Sequence, residues 1–269
     1  MWSRLWHWLK PWFIPAPPAE RRPIADSQAG RYVRSFLFLR FVIGLIGVLL
    51  PLALVSLDAL AFDGHPGSRI PRGSISAYYY SGFREVFTVT IGTIAFFLFA
   101  YKITEKNLDN LLSILAGFAG MVIPILPTGI PTDIHPAPKL NPIQHALGKD
   151  LTQTIHYTAS AVFIGLLGGV CVLFAFREAD RPWHGNKIRA RYWAAFHLLC
   201  AAAIVGAGLW ILVTTLLDWI DRPYYSVLIG EWVSVTAFGA SWFAKGAEIK
   251  YVFFGRDEPD PTAPGPSSS

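Results

Sequence analysis

Within the apolar stretch IGEWVSVTAFGASWFAKG, Ile229 to Gly246, the residues Glu231, Ser234, Phe238, Ser241 and Lys245 recur at a 3,4,3,4 spacing. On a helix that spacing gathers them on one face, which is therefore polar at both ends. Glu231 sits about seven residues inside the run, roughly 10 Å along a helix axis. An anion facing lipid at that depth is costly, so the carboxyl must turn into a bundle, take a proton or find a partner. Lys245 has a simpler solution, because its stem can snorkel to the headgroups. The two charges are 14 residues apart and cannot meet.

Two further stretches carry polar residues to the same expected level. KDLTQTIHYTASAVF places Thr152, His156 and Ser160 at i, i+4 and i+8 on one helix face. SISAYYYSGFRE brings Ser74, Ser76, Tyr78, Tyr79, Tyr80, Arg84 and Glu85 to the head of an apolar run. Arg84 and His156 are the expected partners of Glu231. Such a trio can lock helices together or line a ligand pocket, and residue types alone leave both open. The pocket reading assigns Glu231, His156, Arg84, Glu85, Ser74, Ser76, Tyr78, Tyr80, Ser160 and Ser234 to ligand binding. No catalytic residue is assignable.

Metal chemistry has little support. His145, Asp150 and His156 stand at i, i+5 and i+11, which turns Asp150 to another helix face. Cys171 and Cys200 lie in apolar runs without a CxxC pair, so neither a zinc site nor a disulfide framework is expected. His197 reads as a satisfied core residue, and no cofactor is expected.

The elements that must position these groups are membrane helices. The 269 residues are 53% hydrophobic and 15% charged with a mean hydropathy of +0.40, against about 25% charged residues in a soluble domain. Six apolar runs are long enough to cross a core of about 30 Å. They lie near 36–57, 84–101, 109–127, 152–176, 192–217 and 224–245. None alternates as a β-barrel strand would. The fold class expected is all-α, a polytopic six-transmembrane-helix bundle. Of the 23 Lys and Arg residues, 17 fall on the N-terminal side of the first run and in the segments on that side of the bilayer, and 6 on the other. The positive-inside rule then places both termini in the cytoplasm. The basic residues occupy short loops rather than one polar domain, so no nucleic-acid partner is expected.

Residues 1–35 are expected to form a cytoplasmic Trp-rich helix lying in the interface and a Pro-rich linker, residues 36–250 the transmembrane domain, and residues 251–269 a disordered tail. The first apolar run is too long for a signal sequence and lacks a small-residue cleavage site after it. The outer loop near 127–150 exceeds a minimal connector and suits a lid, a partner surface or a plain Pro-rich surface loop. The basic inner loop READRPWHGNKIRARYW suits anionic headgroups. Gly44 with Gly47, Gly117 with Gly120, and Gly165 with Gly168 and Gly169 promise close helix approach. The two halves show no matching breaks of the kind that mark transporters with inverted repeats.

SISAYYYSGFREVFTVTIGTIAFFLFAY, DNLLSILAGFAGMVIPILPT, IHYTASAVF and EWVSVTAFGASWFAKG, in that order and spacing over roughly residues 70–250, resemble a group of uncharacterised bacterial six-helix inner-membrane proteins. The resemblance implies that Arg84, Asp109, Asn110, His156, Glu231, Trp242 and Lys245 belong to one scheme, and it supplies no activity. A comparison with the alkaline ceramidase and progestin-receptor-like superfamily, whose members hold zinc with intramembrane Ser, Asp and His, is weaker. The chain lacks a His-rich last helix and shows six runs rather than seven.

The functional expectation is a bacterial inner-membrane protein with an outward-facing polar pocket, its partners being membrane lipids. The pocket would take a lipid headgroup or an amphipathic small molecule. The alternatives are an accessory or scaffold subunit that binds other membrane proteins, an intramembrane lipid hydrolase, and a proton-coupled transporter.

Overall fold

A computed structural model describes residues 28–61, 71–100, 108–131, 138–179, 187–217 and 225–246. The expected interfacial helix and linker before residue 28 and the expected tail after residue 250 lie outside them. The described residues form seven α-helices and one 3-10 helix, with no strand among them. In chain order these are α1 (Gln28–Leu60), the 3-10 helix Ser76–Tyr80, α2 (Arg84–Ala100), α3 (Leu108–Ile125), α4 (Pro142–Leu147), α5 (Lys149–Ala179), α6 (Lys187–Leu216) and α7 (Ser226–Gly246).

Five of these helices are long and apolar enough to cross a bilayer, over Leu37–Leu60, Leu108–Ile125, Lys149–Ala179, Ala190–Leu216 and Ser226–Lys245. The sixth expected span is α2, whose 17 described residues reach about 26 Å, slightly under a core of about 30 Å. Along these apolar stretches large hydrophobic side chains face outward: Val89, Leu199 and Leu216 are 65%, 69% and 73% exposed. A water-soluble surface does not carry apolar area on that scale.

α5 extends beyond the expected run at both ends, because KDLTQT continues the helix as a polar turn above the apolar stretch. Gly148, at φ 83, separates it from α4. That left-handed conformation suits a residue without a Cβ. α4 replaces part of the expected irregular loop, and its start was written in the sequence. Asn141 accepts from the Gln144 backbone N–H while the Gln144 side chain returns to the Asn141 N–H, with Pro142 in the first turn.

The long helices neighbour one another in the order α2, α3, α5, α6, α7, α1, and α1 meets α2 only over a short stretch. Two seams are backbone-close. A Cβ on Gly44 would lie 2.4 Å from the Phe243 nitrogen, and one on Gly117 would lie 2.6 Å from the Phe99 nitrogen. Only glycine lets α1 meet α7, and α3 meet α2, at that distance. Gly165 departs from expectation, since a Cβ there would meet nothing within 4 Å. Between the two ends the bundle core is apolar, filled by Leu98, Leu167, Val170, Ile204 and Phe238.

Candidate functional site

Glu231 lies near the start of α7 and is half-buried. Its carboxylate accepts the Ile75 backbone N–H at 2.5 Å and faces the Ser76 hydroxyl at 3.4 Å. It therefore holds the start of the 3-10 helix, whose first amides lack partners within the helix. Leu228 donates its N–H to the Gly73 carbonyl at 2.9 Å beside this contact. The Ser74 hydroxyl accepts from the Ala77 N–H at 2.9 Å and closes the turn.

Neither expected partner reaches Glu231. Arg84 lies over the Tyr79 ring, 4.2 Å from its centroid, and donates to the Tyr79 hydroxyl at 2.5 Å. His156 is buried, with Nδ1 2.7 Å from the carbonyl of Leu126, the residue that follows α3. The physical reason is the 3-10 helix, whose backbone N–H groups reach the carboxylate first. Arg84 and Glu85 stay exposed at the head of α2. Ser160 is partly buried one turn below His156, and Ser234 returns its hydroxyl to the Gly230 carbonyl at 2.8 Å in its own helix. Tyr78, expected at the mouth of a pocket, is fully buried instead. Burial pushes its phenol up to about 12.

Thr128 and the start of α4 are fastened to the same 3-10 helix. Tyr80 donates to the Thr128 carbonyl at 2.7 Å and accepts from Gln144 Nε2 at 2.9 Å. Asn141 Nδ2 donates to the Tyr79 hydroxyl at 2.9 Å. Arg72 grips Asp58 of α1 with Nε at 3.0 Å and Nη2 at 3.3 Å. Ser76, Tyr79, Tyr80, Arg84 and Glu231 thus belong to one cap, joined by Asp58, Arg72, Thr128, Asn141 and Gln144, which residue spacing did not single out. The signals available were Asp58 two residues before the end of α1 and the N-P-I-Q run at 141–144.

A second polar layer occupies the opposite end. Arg177 of α5 pairs with Asp109 of α3, and Glu178 pairs with Lys245 of α7. Lys245 therefore turns inward to a buried carboxylate rather than snorkelling. The Arg40 guanidinium caps the packed rings of Phe174 and Trp242, 5.1 Å from each centroid. One turn deeper, His197 Nδ1 is 2.8 Å from the Ser241 hydroxyl, both buried, and this contact ties α6 to α7. Asp109, Trp242 and Lys245, grouped by the resemblance with Glu231 and His156, sit at this end, so the scheme is divided between two layers.

Helix lengths, apolar outward faces and two buried polar layers define the class as a multi-pass membrane bundle. Comparison with protein-family models, curated proteins and solved structures finds no match.

Proposed function

We propose that the chain is a six-span protein of a bacterial inner membrane, with both termini cytoplasmic and the Glu231 end facing outward, where it binds a lipid headgroup or amphipathic small molecule. One observation carries this reading. Glu231 has no cationic partner among the described residues, and an exposed Arg84 stands at the far end of the 3-10 helix. The five-residue helix stands between the two charges, Glu231 at its first residues and Arg84 on the Tyr79 ring. A ligand with an ammonium or hydroxyl group for Glu231 and an anionic group for Arg84 fits that polarity, with its apolar part among the lipid-facing helices.

Native mass spectrometry of wild type and Glu231→Gln from mild detergent tests it. A discrete lipid retained by wild type and lost from a folded variant is the expected result. Identical lipid profiles would sink the reading.

A second reading, an accessory subunit, draws on the loop fastened at Thr128, Asn141 and Gln144, which presents a fixed outer surface. Crosslinking in intact membranes should then capture a protein partner through residues 138–148. The hydrolase and transporter readings draw less support. The described residues contain no group of three His, Cys, Asp or Glu able to hold a metal, and an apolar cluster lies between the two polar ends.

A further inference from the structure

Tyr79 and Tyr80 are consecutive residues of the 3-10 helix, their rings 5.1 Å apart, yet their hydroxyls are used differently. The Tyr80 hydroxyl gives its proton to the Thr128 carbonyl and accepts from Gln144, so both of its roles are filled. The Tyr79 hydroxyl only accepts, from Arg84 Nη2 at 2.5 Å and from Asn141 Nδ2 at 2.9 Å. Neither contact can run the other way. A guanidinium has no acceptor. The Asn141 amide is held in one sense, because its Oδ1 caps α4 at the Gln144 N–H, 2.8 Å away. The phenolic proton of Tyr79 is therefore left over, with no acceptor among the described residues. We infer that Tyr79, Arg84 and Asn141 form a receptor for the phosphate group of a phospholipid, with the Tyr79 proton and the Arg84 guanidinium as its donors.

Fastening of the loop does not account for this arrangement, since the Tyr80 pattern fastens it and spends its proton inside the protein. Side chains from three elements meet at the Tyr79 oxygen, and all of them present donors. The Arg84 guanidinium is held over the Tyr79 ring, 4.2 Å from its centroid, while the residue stays exposed. A fixed cation beside an unspent O–H is the preorganised, charge-assisted donor pair that an oxyanion takes. Arg84 is the first residue of α2, and Val89, five residues on, is apolar and 65% exposed. The donors thus sit where an apolar span begins, the level of a lipid phosphate. Glu85, exposed at the next position, repels a more highly charged anion and favours a singly charged diester over inorganic phosphate. The inference rests on the reading that Arg84 takes the anionic group of the ligand, and adds the residues and the chemistry.

The test titrates the intact protein in detergent with phosphatidylglycerol and, separately, with inorganic phosphate, read by native mass spectrometry. One phosphatidylglycerol per wild-type chain is expected. Tyr79→Phe keeps the ring under Arg84 and removes the proton, so binding should weaken about tenfold. Asn141→Asp keeps the α4 cap, but its second oxygen takes the Tyr79 proton and sets a negative charge beside Arg84. A loss on the order of a hundredfold is expected there. Gly44→Ala, which crowds the Phe243 backbone near the other end of α7, is the stability control and should bind as wild type does. Losses confined to inorganic phosphate would overturn the lipid assignment in favour of a free anion. No binding by wild type, unchanged affinity in either folded variant, or an equal loss in Gly44→Ala overturns the receptor itself. Glu231→Gln is measured alongside. Binding lost there and kept in Tyr79→Phe and Asn141→Asp sinks the donors named here and leaves the two-ended reading standing, and the converse keeps the donors and sinks the Glu231 end.

Discussion

Arg177 and Glu178 are consecutive residues of α5 that reach in opposite directions, one to Asp109 on α3 and the other to Lys245 on α7. A single turn of helix thereby fastens three spans at the same depth. Both acids are nearly inaccessible, with side chains 3% exposed, whereas their cations keep 17% and 14%. The arrangement places the carboxylates inside and lets the longer side chains reach them from the rim.

Removing one partner from such a pair leaves a buried charge uncompensated. Lys245→Ala should cost about 3 kcal/mol of stability and Glu178→Gln somewhat less, because the amide can still accept a hydrogen bond. Thermal unfolding in detergent, followed by light scattering, measures both. The exchanged pair Glu178→Lys with Lys245→Glu should recover part of the loss, and a double variant no better than the singles would show that the contact is incidental.

The glycines separate seams from open faces. Gly44→Ala would drive a Cβ into the Phe243 backbone and should destabilise by about 2 kcal/mol, within the usual range for overpacking. Gly165→Ala meets nothing within 4 Å and should stabilise by about 0.5–1 kcal/mol through helix propensity alone. Opposite signs in one melting assay are expected. Two variants that behave alike would contradict the α1–α7 contact.

How much of this was legible in sequence depends on whether the signal was local. The spans near 36–57 and 109–127 match Leu37–Leu60 and Leu108–Ile125 because apolar length is a property of one segment. Gly44 and Gly117 were legible for a similar reason. Pairing is not local: nothing on α7 announces that Glu231 meets the Ile75 amide rather than Arg84, since that depends on how residues 71–76 cross its end. Arg177 and Asp109 were hidden differently. Arg177 read as one of many flanking basic residues, and its role emerges only once α3 and α5 are adjacent. Asn141 and Gln144 were the exception, a readable capping box passed over inside a proline-rich loop.

Tyr80 fastens both sides of the connection between α3 and α4, with one bond given to Thr128 and one taken from Gln144. Tyr80→Phe keeps the ring and removes both, at an expected cost of about 1–2 kcal/mol. The clearer readout is local. Amide hydrogen exchange across residues 138–147 should accelerate while the long helices stay protected. Unchanged exchange there would mean that the capping box alone orders α4.

Tyr78 makes a pH prediction whose sign follows from burial. Its phenol is pushed from 10.0 up to about 12 in the folded chain, first by burial, with neighbouring Asp58 adding and Arg72 opposing. Between those two values the folded state keeps a proton that the unfolded state has lost. Stability must therefore fall as pH rises, fully retained below 10 and lost toward 12. Wild type should lose about 2 kcal/mol over that window from this group. Tyr78→Phe cannot ionise, so its alkaline decline should be shallower by that amount, while the two proteins run parallel below pH 9. Parallel curves through pH 12 would mean that the phenol reaches water, and that the cap at the Glu231 end is looser than the packing around Tyr78 implies.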